Sequence, residues 1–276
     1  MIRALFFDLD GTLLNSNKRV DDSSVDAIRW ARKMGAKAYF ASARSPRLDQ
    51  TLLWTEREFS LFDGGVYCNG ACAYINGEMT YSFIDAEVVN EIIEIVSEFQ
   101  NVHLSLHMPE EGYAFNFPPD ASMNQTWGLK NARIVPIDDG AIHATTKILV
   151  FYDRLVDSKN VLPDALVNAF HDKIGDRARF YVTDQGKTVQ FSNKGVSKLS
   201  AIQRIQKMLF LKDDEISVFG DDVNDLEMIS YYKNSVCMGN GAPQVKEKAG
   251  FVTRSNDENG IAHAIHNYLF EMEGRK

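Results

Sequence analysis

Cysteine is scarce: the 276 residues hold three, Cys68, Cys72 and Cys237. So few, and an odd number, cannot build a disulfide framework. Cys68 and Cys72 have three residues between them and no histidine pair nearby, which is poor spacing for structural zinc. Buried, reduced thiols in a cytoplasmic protein are the expectation. Long apolar runs are missing too. The first, Ala4 to Phe7, follows Arg3 and ends at Asp8, far short of a signal-peptide core or a membrane span, so neither export nor a membrane partner is expected. There is no excess of positive charge. Thirty basic against 38 acidic side chains give a net charge of -8, spread without basic blocks. Such a balance repels polyanions, and no nucleic-acid partner is expected. His103, His107 and His143 lack metal-ligand spacing, and there is no solenoid repeat or low-complexity linker.

What is present is ample material for a packed core, 45% of the residues being hydrophobic. Arg3 to Phe7 reads as a buried parallel strand. A helix follows, with Asp22, Ser23 and Ser24 at its start and Val25, Ile28 and Ala31 on one face. Lys37 to Ala41 reads as a second strand and Leu48 to Glu58 as a helical return. The same grammar resumes late in the chain. Val196, Leu199, Ile202, Ile205 and Leu209 mark a helix, Ile216 to Phe219 a strand, and Val236 to Met238 and Phe251 to Val252 further strands. A helix over Pro243 to Ala249 separates the last two, and a final helix is expected from about Glu258 to Glu271. Between these ends the pattern changes. A helix with Val88, Val89, Ile92, Ile93 and Val96 precedes strands at His103 to Met108 and Tyr113 to Phe117. After Pro118 and Pro119 come a helical stretch, a strand over Thr145 to Tyr152, a helix over Leu162 to Ile174 and a strand over Ala178 to Val182. The expected fold is α/β: a Rossmann-like core with a mostly parallel sheet, built from residues 1–82 and 189–276, with an inserted α+β domain over 83–188.

Asp8 and Asp10 sit where the first strand should stop, which in open α/β folds is where ligands bind. Two carboxylates so close repel one another unless a cation or a shared proton compensates, and an all-oxygen environment points to Mg2+. Gly11 permits a tight turn after them. A second acidic group, Gly220-Asp221-Asp222-Val223-Asn224-Asp225, also follows a short apolar strand, so both groups can meet at one sheet edge. Each is weak alone, since such residues are common in turns.

Together, with two more segments, they carry a resemblance. Phe6-Phe7-Asp8-Leu9-Asp10-Gly11-Thr12-Leu13-Leu14 resembles the first motif of the haloacid dehalogenase-like hydrolase superfamily, and Gly220 to Asp225 its fourth. Phe40-Ala41-Ser42-Ala43-Arg44 resembles the second, with Ala43 where the related subgroup usually has glycine. Gly195-Val196-Ser197-Lys198 resembles the third. Gln190, Asn193 and Leu199 replace the more typical Glu, Pro and Gly, so Lys194 stays in view beside Lys198 as the phosphate lysine. The insertion between the second and third motifs matches a type IIB cap, and the whole chain is similar to the Cof-type phosphatases.

The resemblance implies a chemistry. Asp8 would be the nucleophile, forming an aspartyl-phosphate, and Asp10 the general acid and then base. Ser42, Ala43, Lys198 and Asn224 would bind phosphate. Mg2+ would be held by Asp8, the Asp10 backbone carbonyl and Asp221, with Asp225 in support and Asp222 merely solvated. Arg44 and Arg47, with the loop at Asn69 and Gly70, would contact substrate or support a gate. The Gly239-Asn240-Gly241-Ala242 loop would shape the site. Tyr113, Phe115, Phe117 and Trp127 are expected mostly to pack the cap. The implied substrates are small phosphorylated metabolites, sugar phosphates foremost, with nucleotide, flavin or pyridoxal phosphates as alternatives. A phosphomutase is the other enzymatic reading. A regulatory binding module would be expected to have lost Asp8, Asp10, Asp221 or Lys198, all present here. Oligomeric state is not legible.

Overall fold

The computed structural model describes residues 1–119, 123, 127–152 and 161–270. The chain forms two compact units, one of Met1–Arg44, Leu52–Thr80 and Ser197–Lys276, the other of Ser45–Thr51 and Tyr81–Val196. In chain order the strands are β1 (Ala4–Phe7), β2 (Lys37–Ala41), β3 (Gly64–Tyr67), β4 (Cys72–Ile75), β5 (Glu78–Tyr81), β6 (Val102–Met108), β7 (Gly112–Phe115), β8 (Arg133–Val135), β9 (Lys147–Tyr152), β10 (Ala178–Thr183), β11 (Thr188–Asn193), β12 (Ile216–Gly220), β13 (Asn234–Cys237) and β14 (Phe251–Val252). Three helices carry most of the helical packing: α1 (Asp22–Lys33), α2 (Ala86–Ser97) and α3 (Lys198–Met208).

In the first unit the sheet order is β14-β13-β12-β1-β2-β3-β4-β5. The pairings from β14 to β3 are parallel and β4 returns antiparallel to β3. All four residues of β1 are buried, as a central strand covered on both faces demands. Ala4 and Phe6 share a core with Ala201, Ile202 and Ile205 of α3 and with Met228 and Ile229. Each such large side chain contributes about 1.5–3 kcal/mol relative to exposure. All three cysteines are buried and unpaired with one another.

The second unit has its own sheet, ordered β10-β11-β9-β6-β7-β8 and antiparallel except between β7 and β8. Leu104, Leu106, Ile148, Val150, Val189 and Phe191 alternate onto one face and pack with Val88, Val89, Ile92, Ile95 and Val96 of α2. The intervening residues, among them His103, His107 and Phe151, point the other way and join Tyr113, Phe115, Phe117 and Trp127 in a ring cluster; Trp127 and Phe151 have centroids 5.0 Å apart.

The expected α/β core with an α+β insertion is what the chain adopts. Several boundaries differ. β11 lies inside the insertion's sheet between β10 and β9, so the second unit runs on to Val196. Ser45–Thr51 also belongs to that unit. The helical return over Leu48 to Glu58 is two short helices, Leu48–Thr51 and Glu56–Phe59, broken where Leu53 takes a left-handed φ of 54° and Trp54 turns inward. The helical stretch after Pro119 lies largely outside the described residues, as does Glu271 at the expected end of the last helix. Among the described residues no helix is long and apolar enough to cross a membrane.

Candidate active site

β1 and β12 run side by side with Phe7 opposite Phe219, so the chain leaves the sheet on neighbouring strands at Asp8 and Asp221. The Asp8 N–H donates to the Phe219 carbonyl at 2.9 Å, holding the two exits level. β1 is also where the order reverses, with β2 and β3 on one side and β12 to β14 on the other. In open sheets that switch point leaves a crevice beyond the carboxyl ends of the strands.

Gly11 turns the chain there with φ 83°, and a Cβ on it would stand 2.3 Å from Asp221 Oδ2. Backbone conformation and space both require glycine. Thr12, next along, donates its hydroxyl to Asp221 Oδ1 at 2.7 Å. Lys198 is the first residue of α3, whose N-terminus is closed by Ser197 Oγ accepting from the Ser200 N–H and Ser200 Oγ accepting from the Ser197 N–H. Its buried ammonium donates to Asp8 Oδ1 at 2.5 Å and to Asp225 Oδ1 at 2.7 Å. The other Asp225 oxygen accepts the N–H groups of Asp221 and Asp222 at 3.0 and 3.2 Å.

Oxygens of Asp8, Asp221 and Asp225 lie within 4.8 Å of one another. One ammonium is too little for three carboxylates out of water. Burial first, then the charges of Asp225 and Asp221, outweigh Lys198 and raise the Asp8 carboxyl well above its ordinary range. Burial and Asp225 push Asp221 up to about 7. Burial opposes charge on Lys198, but Asp225 and Asp8 together hold it firmly protonated.

Asp10 is the opposite case. Arg44 grips it with two bonds, Nε to Oδ2 at 2.6 Å and Nη2 to Oδ1 at 2.7 Å, and Lys18 Nζ reaches Oδ1 at 2.8 Å. Burial pushes this carboxyl up, but the hydrogen bonds and charges of Arg44 and Lys18 win and hold it at about 2.

The remaining expected residues divide. Ser42, buried at the end of β2, accepts the Arg44 N–H on its hydroxyl at 3.1 Å, with half-buried Ala43 between them. Cys68 and Asn69 take φ of 51° and 52° and Gly70 of 107°, a left-handed run that brings Asn69 under β2, its N–H on the Ser42 carbonyl. Asn69 Oδ1 accepts Asn224 Nδ2 at 3.0 Å, tying that loop to the second acidic segment. The 239–242 loop reaches in as well: Asn240 Nδ2 donates to the Gly11 carbonyl and the Ala242 N–H to the Asp221 carbonyl, both at 2.8 Å. Asp222 caps the short helix over Val223–Asp225. Arg47 belongs to the second unit. It is buried there, paired with Glu111 and donating to the Lys130 carbonyl at 2.7 Å. Lys194 is exposed and belongs to that unit too. The sequence reading did not single out Thr12 or Lys18 as contacts of the acidic residues. Thr12 adjoins Gly11 and could have been weighed as a hydroxyl donor, whereas nothing in the Asn15 to Arg19 turn signals that Lys18 reaches Asp10.

This order of residues has known counterparts: residues 5–265 match the haloacid dehalogenase-like hydrolase family. The chain belongs to that family. Among its relatives, the 5-amino-6-(5-phospho-D-ribitylamino)uracil phosphatase YitU of Bacillus subtilis is 24% identical over 273 residues, 95% of this chain and 96% of YitU. The chloroplastic endoribonuclease YBEY of Arabidopsis thaliana is 26% identical over 275 residues, but these are 96% of this chain and only 46% of that longer protein. The solved structure of the HAD subclass IIB sugar phosphatase BT4131 matches with a TM-score of 0.78 at 23% identity, covering 95% of this chain and 97% of that one. At that identity the likeness speaks for the fold, an α/β core with an inserted cap domain.

Proposed function

We propose that this hydrolase is a Mg2+-dependent phosphatase of small phosphorylated metabolites, sugar phosphates foremost, and that it works through an aspartyl-phosphate on Asp8. The observation that carries the reading is the charge deficit around Asp8, where three clustered carboxylates face one ammonium. The donors are all hard oxygens, and the raised Asp221 and Asp8 carboxyls mark a site short of positive charge. These residues fit a divalent cation such as Mg2+. Asp8, Asp221 and the Asp10 carbonyl would hold it, with Asp225 in support because Lys198 and two backbone N–H groups already occupy its oxygens. When bound, the cation would offset the carboxylates and polarise a phosphoryl oxygen.

The chain's own residues supply the rest. An Asp8 oxygen attacks phosphorus as the P–O bond to the leaving alcohol breaks, and Asp10 gives that alcohol its proton. Asp10 then takes a proton from the water that attacks the acyl phosphate, releasing inorganic phosphate and freeing Asp8. Lys198 and the Ser42 hydroxyl stabilise the transferring phosphoryl oxygens, with backbone donors near Ala43 and an amide from Asn224. Arg44, Asn69 and Gly70 would contact the leaving group or support a gate. Arg47, buried in the insertion with Glu111 and the Lys130 carbonyl as partners, would support the gate from there. The named activities of YitU and BT4131, one on a phosphorylated ribityl chain and one on sugar phosphates, support a polyol or sugar leaving group. The buried thiols fit a reducing compartment such as the cytoplasm.

The test is inorganic phosphate release across a panel of phosphate esters, with Mg2+ and with chelator, for the wild type and Asp8→Asn. Release that needs both Mg2+ and Asp8 is expected. Undiminished release by Asp8→Asn would remove the nucleophile from the mechanism.

A further inference from the structure

Both oxygens of Asp10 are taken. Oδ1 accepts from Arg44 and from Lys18, and Oδ2 from Arg44. A carboxyl so held cannot hand a proton to a leaving oxygen until at least one contact is released. Once released, two cations remain around one carboxylate, and among the described residues neither Arg44 nor Lys18 has another ion-pair partner. The Arg44 side chain is only 24% exposed, so leaving its guanidinium unpaired is costly.

The Lys18 side chain is 56% exposed, but the turn that carries it is tied down. Its turn is organised by Asn15 Oδ1, which accepts the N–H groups of Asn17 and Arg19 at 2.9 and 3.0 Å, and by Asn15 Nδ2 donating to Asp21 at 2.6 Å. Ser16 anchors the same turn to Asp257 through its N–H at 2.8 Å and its hydroxyl at 2.5 Å. Lys18 itself holds a left-handed φ of 59°. The loop spends backbone strain and several hydrogen bonds to bring one ammonium to Asp10.

We infer that Arg44 and Lys18 form an anion subsite for the leaving group, so that the preferred substrates carry a second negative charge, a carboxylate or another phosphoryl group, on the alcohol that departs. This rests on the phosphatase reading and narrows its substrate class. The phosphoryl group being transferred does not meet the need, because Lys198 and the cation site at Asp8 already face its charge. An anion on the leaving group draws Arg44 and Lys18 off Asp10, frees Asp10 for proton transfer, and keeps both cations paired. Binding the correct substrate and arming the acid are then one event.

The test compares kcat/KM within matched pairs that differ by one carboxylate: 6-phosphogluconate against glucose 6-phosphate, and 3-phosphoglycerate against glycerol 3-phosphate, with p-nitrophenyl phosphate as a neutral reporter. The anionic member should be favoured by about tenfold or more in at least one pair, as expected of charge-assisted hydrogen bonds. That ratio should fall several-fold in Lys18→Met and further in Lys18→Glu. In a second arm, gluconate should inhibit p-nitrophenyl phosphate hydrolysis more strongly than sorbitol, and high salt should narrow the gap. Equal kcat/KM within both pairs, or no turnover of either pair together with equal inhibition by gluconate and sorbitol, overturns the inference. So does a Lys18→Glu variant that slows both members of a pair alike, which is what a purely structural clamp predicts. In all three cases Mg2+- and Asp8-dependent release from p-nitrophenyl phosphate persists, and its loss would instead strike the phosphatase reading itself.

Discussion

Asp8 and Asp10 are separated by one residue, yet their surroundings carry opposite charge. Around Asp8 three carboxylates cluster with the single ammonium of Lys198, and Asp8 and Asp221 are driven toward protonation. Around Asp10 one carboxylate is shared by a guanidinium and an ammonium, and it stays ionised to about 2. Burial raises both groups. The count of partners, not depth, decides the direction. One side is built to accept a cation and the other an anion, with the reacting bond expected between them.

The largest way to break this contrast is at Asp8. Asp8→Asn should lower kcat by about 10^4-fold, since an amide cannot replace the attacking carboxylate, while the protein stays folded. Steady-state phosphate release together with circular dichroism decides it.

Removing the lone ammonium should come next. Lys198→Met leaves Asp8 and Asp225 without their buried partner, and about 10^3-fold of kcat/KM should go with about 3–5 kcal/mol of stability. Lys194→Met, at an exposed site, should change both by less than twofold. Denaturant unfolding and kinetics on the two variants would reverse the assignment if Lys194 proved the more damaging.

Asp221 sharpens the contrast through pH. Its folded-state carboxyl at about 7 lies above its ordinary 3.8, so across that window the folded protein binds a proton that the unfolded chain has lost. The sign follows: stability contributed by the protonated form is present at low pH and disappears as pH rises through about 7. Metal-free protein should therefore lose Tm between about pH 5 and 8, and Mg2+ should raise Tm more at about pH 8 than at about pH 5. An equal Mg2+ effect at both would put the cation elsewhere.

Gly11→Ala should cost about 1–2 kcal/mol from the left-handed backbone and displace Asp221, lowering kcat/KM about tenfold. The smallest effect on catalysis belongs to Arg47→Met. Hydrolysis of p-nitrophenyl phosphate should stay within about twofold while thermal unfolding shifts down, because Arg47 serves the packing of the insertion. A loss of kcat without a Tm change would return Arg47 to the site.

The legible parts of this structure were those with a local signature. β1, β2 and β12 announce themselves as short apolar runs ending at Asp8, Ser42 and Asp221, and the resemblance of Gly195 to Lys198 to the third motif singled out Lys198, with Lys194 still in view. β3 was missed because Gly64 and Gly65 carry no strand pattern; an ideal Cβ on Gly65 would lie 1.9 Å from the Phe40 ring, a demand set by a neighbour strand. The left-handed run at Cys68 to Gly70 was half legible, since Asn69-Gly70 is a pair that favours such conformations and Cys68 is not a residue type that does. The contacts of Arg47 with Glu111 and of Lys18 with Asp10 were silent, since both are set by tertiary approach.

Residues 45–51 have a practical consequence for anyone recombining these proteins. They follow Arg44 directly in the chain, yet they pack with the insertion, Ser45 against His107 and Arg47 against Glu111. A chimera cut only at the two ends of the long insertion would carry the foreign domain but leave its seven-residue anchor behind, stranding the guest's acidic and histidine partners. A transplant of the whole unit has to carry residues 45–51 as a second donor segment with two further junctions, and families in which this short segment varies together with the insertion would have made that exchange for themselves.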